Sequence, residues 1–177
     1  MIRNDVYVDK TGLIALVNAT IGTKQKLTCI SRSRRFGKSF AARMLCAYYD
    51  KTCNSSTLFD DLMIAKDEYY RQHLNKYDVI YLDMTNIMGG AGKKEIIPYI
   101  KRRVTEELVS ACPGLKAEEE SFTTTLVNAV ELIGNKFIVI IDEWDVLIRD
   151  VAANFKVQEE YINFLRGLFK GSSATRY

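Results

Sequence analysis

The stretch 27–49, LTCISRSRRFGKSFAARMLCAYY, constrains the fold more than any other part of the chain. A short apolar run containing the β-branched Thr28 and Ile30 predicts a strand over 26–31. A polar turn over 32–37 follows, and then a helix over 38–50. Ala41, Ala42, Met44, Leu45, Cys46, Ala47 and Tyr48 occupy most of that helix's circumference. A helix apolar on nearly all sides belongs in an interior, as the helix after a central strand does. Strand, glycine turn, Lys38-Ser39 and helix, in that order, is how a chain holds the phosphates of a nucleotide. One position departs from the phosphate-loop signature G-x-x-x-x-G-K-[ST]: Arg32 stands where its first glycine would be. That glycine lets the backbone leave the strand with unusual dihedrals, whereas later amides make most anion contacts, so the departure is tolerable.

The remaining chain alternates in the same way. Leu13, Ile14, Leu16 and Val17 predict a short amphipathic helix after an extended lead-in, capped by Asp9 or Thr11 and closed near Gly22. The run 79–82 is a second strand, ending at Asp83. The glycines and lysines of 89–94 suggest a flexible connection; they lack the spacing for a second phosphate loop. A helix with Ile97, Ile100, Val104 and Leu108 on one face follows, with Pro98 in its first turn. Ser121 can cap a helix that Gly134 stops. The run 137–141, FIVII, has no alternation, which is the pattern of a strand buried on both faces in a parallel sheet. It ends abruptly in Asp142-Glu143-Trp144-Asp145, and a final helix turns Val157, Tyr161, Ile162, Leu165 and Leu168 inward. Strands alternating with helices predict an α/β fold with a mostly parallel sheet. The only histidine, His73, lies in a polar stretch and is expected to be exposed, without a chemical role.

The chain of 177 residues fits one domain. A net charge of +3 is too small to argue for nucleic acid, although Arg32, Arg34, Arg35 and Lys38 form a basic cluster. The four cysteines show no C-x-x-C pair, so neither a thiolate metal site nor a disulfide framework is expected, and Cys29 and Cys46 read as small hydrophobes. Neither a signal segment nor an apolar run of the ~20 residues that span a bilayer is visible. A cytoplasmic location without a membrane partner is expected.

Triphosphate chemistry needs a cradle of N–H groups, a cation on the phosphates, a magnesium site and a group that orients the nucleophile. Residues 33–38 at a helix start can supply the cradle. Lys38 would reach the β and γ phosphates and Ser39 would ligate magnesium. Asp142, at the carboxyl end of its strand, would hold the same magnesium, and Glu143 would polarise the attacking water. Arg34 and Arg35 add positive charge, as phosphate contacts or as surface arginines. Besides a nucleotide hydrolase, two other classes fit: a nucleotide-gated interaction module with negligible turnover, and a nucleic-acid-binding protein using the arginine cluster.

Three stretches resemble the bacterial AAA-ATPase-like proteins: Tyr7-Val8-Asp9-Lys10-Thr11 with Leu13-Ile14, the run 31–39 SRSRRFGKS, and 140–145 IIDEWD. The loop typical of that family reads S-R-P-R-R-F-G-K-S and its second motif I-D-E-Y-D. Ser33 therefore replaces a proline, which loosens the loop, and Trp144 replaces a tyrosine. The resemblance implies a three-layer αβα sandwich of the phosphate-loop NTPase type, with ATP and magnesium as cofactors. Nucleotide binding is then expected at Arg34, Arg35, Phe36, Gly37, Lys38, Ser39 and Phe40, magnesium at Ser39 and Asp142, and the catalytic base at Glu143. Residues 1–177 would form a single partial domain: a lead-in over 1–25, the phosphate-loop unit over 26–50 and the acidic strand over 136–145. The next central strand and its sensor residue would begin about where the sequence ends, so C-terminal strands are expected to be missing. The partners expected are a nucleotide, further copies of the chain, and nucleic acid reached through a downstream nuclease domain that this sequence lacks.

Overall fold

The computed structural model describes residues 8–31, 36–91, 95–117, 121–150 and 154–170. It is a mixed α/β structure with two parallel strands and several helices, and it divides into two compact units, Met1–Asp78 and Val79–Tyr177.

In the first unit, Asp9 and Thr11 set the start of α1 (Gly12–Asn18), although neither forms the expected side-chain cap. Asp9 instead accepts hydrogen bonds from the Thr11 N–H (2.8 Å), the Thr11 hydroxyl (2.7 Å) and the Met63 N–H (2.7 Å). The Thr11 hydroxyl in turn accepts from the Ile64 N–H. These bonds tie the entry of α1 to a 3-10 turn, Met63–Lys66. The expected apolar helix forms as α2 (Lys38–Tyr49). Its last carbonyls, which have no partner within a helix, are met by the segment after α3 (Tyr70–His73). The Asn75 N–H donates to Tyr48 O, the Tyr77 N–H to Tyr49 O, and the Asn75 side-chain amide to the carbonyls of Ala47 and Asp50. Asn75 reaches them from a left-handed backbone (φ 54°), a conformation asparagine tolerates.

The core of this unit is aromatic and knit by hydroxyls. Tyr48 and Tyr49 are fully buried beside Ile14, Phe59 and Ile64. Asn18 bridges the two phenols, donating to Tyr48 Oη (3.1 Å) and accepting from Tyr49 Oη (2.8 Å); Tyr48 donates onward to the Tyr70 carbonyl. Burial pushes the Tyr49 phenol far above its ordinary value, with Tyr48 and Tyr77 adding to the effect. His73 is buried rather than exposed, which corrects the reading from its polar neighbours. Its ring stacks on Tyr77, with Nδ1 2.7 Å from Tyr77 Oη, and burial lowers its pKa even though Asp67 opposes the shift.

The second unit opens on β1 (Asp78–Asp83), whose first residue closes the first unit. Asp83 caps α4 (Met84–Gly90), accepting from the Asn86 N–H at 3.1 Å. Its last two residues, Gly89 and Gly90, are the first two of the stretch 89–94 that was expected to be a flexible connection. Ile96, Ile97, Ile100, Val104 and Leu108 form the buried stripe of α5 (Ile96–Ala111). Ser121 caps α6 (Phe122–Ile133) through the Thr124 N–H, and Gly134 ends it in a left-handed conformation (φ 75°), both as the sequence predicts. Next come β2 (Phe137–Asp142), α7 (Val146–Asp150) and α8 (Phe155–Lys170). β1 and β2 pair in parallel, which requires a crossover, and α4 to α6 supply it. β2 is buried at both ends and half-buried between them, because β1 is its one strand neighbour among the described residues. On α8, Phe164 takes an inward place, whereas Ile162 faces solvent. α5 packs on α6 and α8, giving a core of aliphatic side chains in which Leu126, Ala129 and Leu147 are fully buried.

Candidate functional site

The expected site residues fall on two elements, the start of α2 in the first unit and the end of β2 in the second. Ahead of α2, residues 26–31 form no strand; Leu27 is 55% exposed and Cys29 is exposed, against both expectations. A strand exists only when a neighbour takes up its N–H and C=O groups. No described residue pairs with this segment as a strand, and Leu27 and Cys29 face water while Ile30 is half-buried.

Arg34 and Arg35, with Arg32 and Ser33, lie outside the described residues, as do Tyr7, Gly92, Lys93 and Lys94. The described residues resume at Phe36, which is 61% exposed. Gly37 follows as the N-cap of α2 in a left-handed conformation (φ 77°, ψ 30°), and its carbonyl accepts the Ala41 N–H at 2.9 Å. A side chain here would be strained by the backbone, and its Cβ would stand 3.1 Å from Lys10 Nζ. That ammonium donates to the Phe36 carbonyl at 2.9 Å. Lys38, Ser39 and Phe40 form the first turn of the helix and are half-buried. N–H groups in a helix's first turn have no intrahelical acceptor, and the helix dipole makes that end favourable to an anion.

At the other half, the apolar run of β2 carries Asp142 to the strand's end, where it is 6% exposed. Its Oδ1 accepts the Glu143 N–H (3.0 Å), and its Oδ2 accepts a long bond (3.4 Å) from the Tyr81 hydroxyl on β1. The chain then turns sharply. Glu143 has φ 52°, a left-handed conformation that costs a non-glycine residue about 1 kcal/mol or more. The Val146 N–H donates to the Glu143 carbonyl, and the buried Tyr161 hydroxyl donates to the Trp144 carbonyl at 2.8 Å. Burial raises the Tyr161 phenol's pKa, with Asp145 adding to it, so the group remains a donor. Arg149 from α7 lies 3.6 Å from Glu143, 2.8 Å from Asp145 and 3.0 Å from Asp150. Ion pairs this exposed add little stability, but they set where the Glu143 carboxylate points.

No group of three or more His, Cys, Asp or Glu side chains that could hold a metal occurs among the described residues. Asp142 in the second unit is a buried carboxylate and Ser39 in the first a half-buried hydroxyl, each by itself an oxygen donor of the type hard cations take.

Three participants escape sequence reasoning: Lys10, Tyr81 and Arg149. Arg149 had a usable signal, since it stands four residues after Asp145 at helical pairing distance. Lys10 stands in one of the stretches that carry the resemblance, but no local pattern points to its acceptor, which is 26 residues away.

Comparison with known proteins gives one finding at the level of the family. No curated protein and no solved structure matches the chain. A family model described as a predicted AAA-ATPase matches residues 1–176, which covers both the Gly37-Lys38-Ser39 turn and the Asp142-Glu143 turn. By that match, and with nucleotide binding as what membership suggests, the chain belongs to the AAA-ATPase-like family.

Proposed function

We propose that the chain is an ATP-binding, magnesium-dependent ATPase domain of the phosphate-loop type, hydrolysing the β–γ phosphoanhydride bond to drive a conformational change. The fold that goes with this reading is a three-layer αβα sandwich around a mostly parallel sheet. The observation that carries the proposal is Gly37: a left-handed N-cap followed at once by Lys38 and Ser39 at the start of a helix. The roles follow from the groups. Backbone N–H groups at the start of α2 bind phosphate, Lys38 neutralises the β and γ oxygens, and Arg34 and Arg35 add charge to the loop. Phe36 and Phe40 flank the turn. Ser39 and Asp142 are the ligands offered to magnesium, which when bound would neutralise charge developing on the phosphates. Glu143, next to Asp142, orients and deprotonates the attacking water.

Titration of magnesium-ATP against wild type and Lys38→Ala tests the site. Lys38→Ala is expected to weaken binding roughly ten- to hundredfold, the value of a charge-assisted contact. Equal binding by both proteins, or none by either, would sink it.

The ion pair between Arg149 and Glu143 favours a second reading, a nucleotide-gated interaction module with little turnover. A carboxylate oxygen engaged by a guanidinium is less available to orient a water. Absent hydrolysis that is unchanged by Glu143→Gln supports the module; hydrolysis abolished by the same change supports the ATPase.

A further inference from the structure

We infer that Lys10 is a positioning residue for the phosphate loop, a role that rests on the nucleotide site proposed above. The segment Asp9-Lys10-Thr11 sends its side chains to two places. Asp9 and Thr11 hold the backbone of Met63 and Ile64, and Thr11 is fully buried, so this short stretch of chain is fixed from both sides of Lys10. The Leu13 N–H donates to the Lys10 carbonyl and the Ile14 N–H to that of Thr11, which adds the first turn of α1 to the anchor.

From this base the Lys10 side chain reaches the Phe36 carbonyl at 2.9 Å. The next residue is Gly37, where a Cβ would meet the same ammonium at 3.1 Å. Lys10 therefore fixes the Phe36–Gly37 peptide, through which the chain enters the N-cap of α2. The placement brings two positive groups together. A helix N-terminus is itself partly positive, so an ammonium beside it is repelled, and the Phe36 carbonyl only partly offsets this. A phosphate at the turn removes the conflict, since both the ammonium and the helix end then face negative charge. Lys10 thus acts through the loop by holding its final turn in place, and its charge favours the loop's occupied form.

The test titrates magnesium-ATP against the full chain and three variants, Lys10→Ala, Lys10→Arg and Lys38→Ala, with thermal unfolding measured for each. Lys10 is exposed, so neither of its variants loses a core contact. Lys10→Ala is expected to weaken binding roughly five- to tenfold, the net worth of about one ordinary hydrogen bond, at an unchanged unfolding temperature. Lys10→Arg is expected to restore affinity to within about twofold, since it keeps the charge and the donor. Wild-type affinity in Lys10→Ala, alongside weakened Lys38→Ala, overturns the role of Lys10 and leaves the nucleotide site standing. A loss in Lys10→Ala that tracks a fall in unfolding temperature and is not restored by arginine makes Lys10 merely structural, and also overturns it. If Lys38→Ala binds as wild type does, the site itself is wrong and the inference falls with it.

Discussion

The two units of this chain are held together by different physics. The first buries Tyr48, Tyr49 and Tyr70 with Asn18, Thr11, Ser55 and His73, so its interior is full of directional bonds. The second buries mostly isoleucine, leucine and valine, with Tyr161 its one buried phenol and Thr125 and Asp142 its other buried polar residues among those described. Apolar burial scales with area and tolerates small shifts. A hydroxyl network does not, because each group that loses its partner incurs the full cost of its lost hydration. The first unit should therefore be specific but brittle, and the second robust to any change that preserves volume.

The largest expected effect breaks the second unit. Leu126 is fully buried, and Leu126→Ala should cost about 3 kcal/mol in denaturant unfolding by leaving a cavity, whereas Leu126→Met should cost under about 1.5 kcal/mol. A Leu126→Met cost as large as that of alanine would refute the picture of a volume-driven core. In the first unit, Tyr48→Phe keeps nearly all the volume but leaves Asn18 Nδ2 and the Tyr70 carbonyl without that hydroxyl. Its cost should be about 2 kcal/mol, and an unaffected protein would mean the hydroxyls are incidental. The smallest effect has the opposite sign. Glu143→Gly should stabilise the second unit by up to about 1 kcal/mol, since it relieves a left-handed backbone at the loss of one exposed ion pair. Destabilisation on that change would show that the Arg149 pair, and not function, keeps glutamate there.

The same contrast explains what was legible in the sequence. α5 and α6 were readable because their signals are local: an apolar stripe at helical spacing, Ser121 at one end of α6 and Gly134 at the other. β2 was readable from five apolar residues and an abrupt acidic stop. α4 was not, since Gly89 and Gly90 in its last turn read as a break, while the Asp83 cap that starts it sits at the end of a strand. α7 is too short for periodicity to register. His73 misled for a related reason: its neighbours in sequence are polar, but what buries it is the ring of Tyr77. Of the candidate site, Gly37 through Ser39 and Asp142-Glu143 stand out as motifs, because the chemistry proposed for them calls for those residue types in that order. What holds them was hidden. The expected strand over 26–31 failed because strand propensity cannot supply a neighbour, and the Lys10 contact bridges residues that no local pattern connects.

The turn after β2 has one more consequence, and it is optical. The chain contains a single tryptophan, Trp144, adjacent to Glu143. Its indole is 42% exposed while its carbonyl is clamped by the buried Tyr161 hydroxyl, so the ring meets solvent from a fixed backbone. Light at the red edge of protein absorption, where tyrosine is silent, therefore addresses the acidic turn alone. The tyrosine-rich first unit does not contribute directly to that signal. A change in the colour or quenching of the emission would report an event at this turn, read from the native chain without a label.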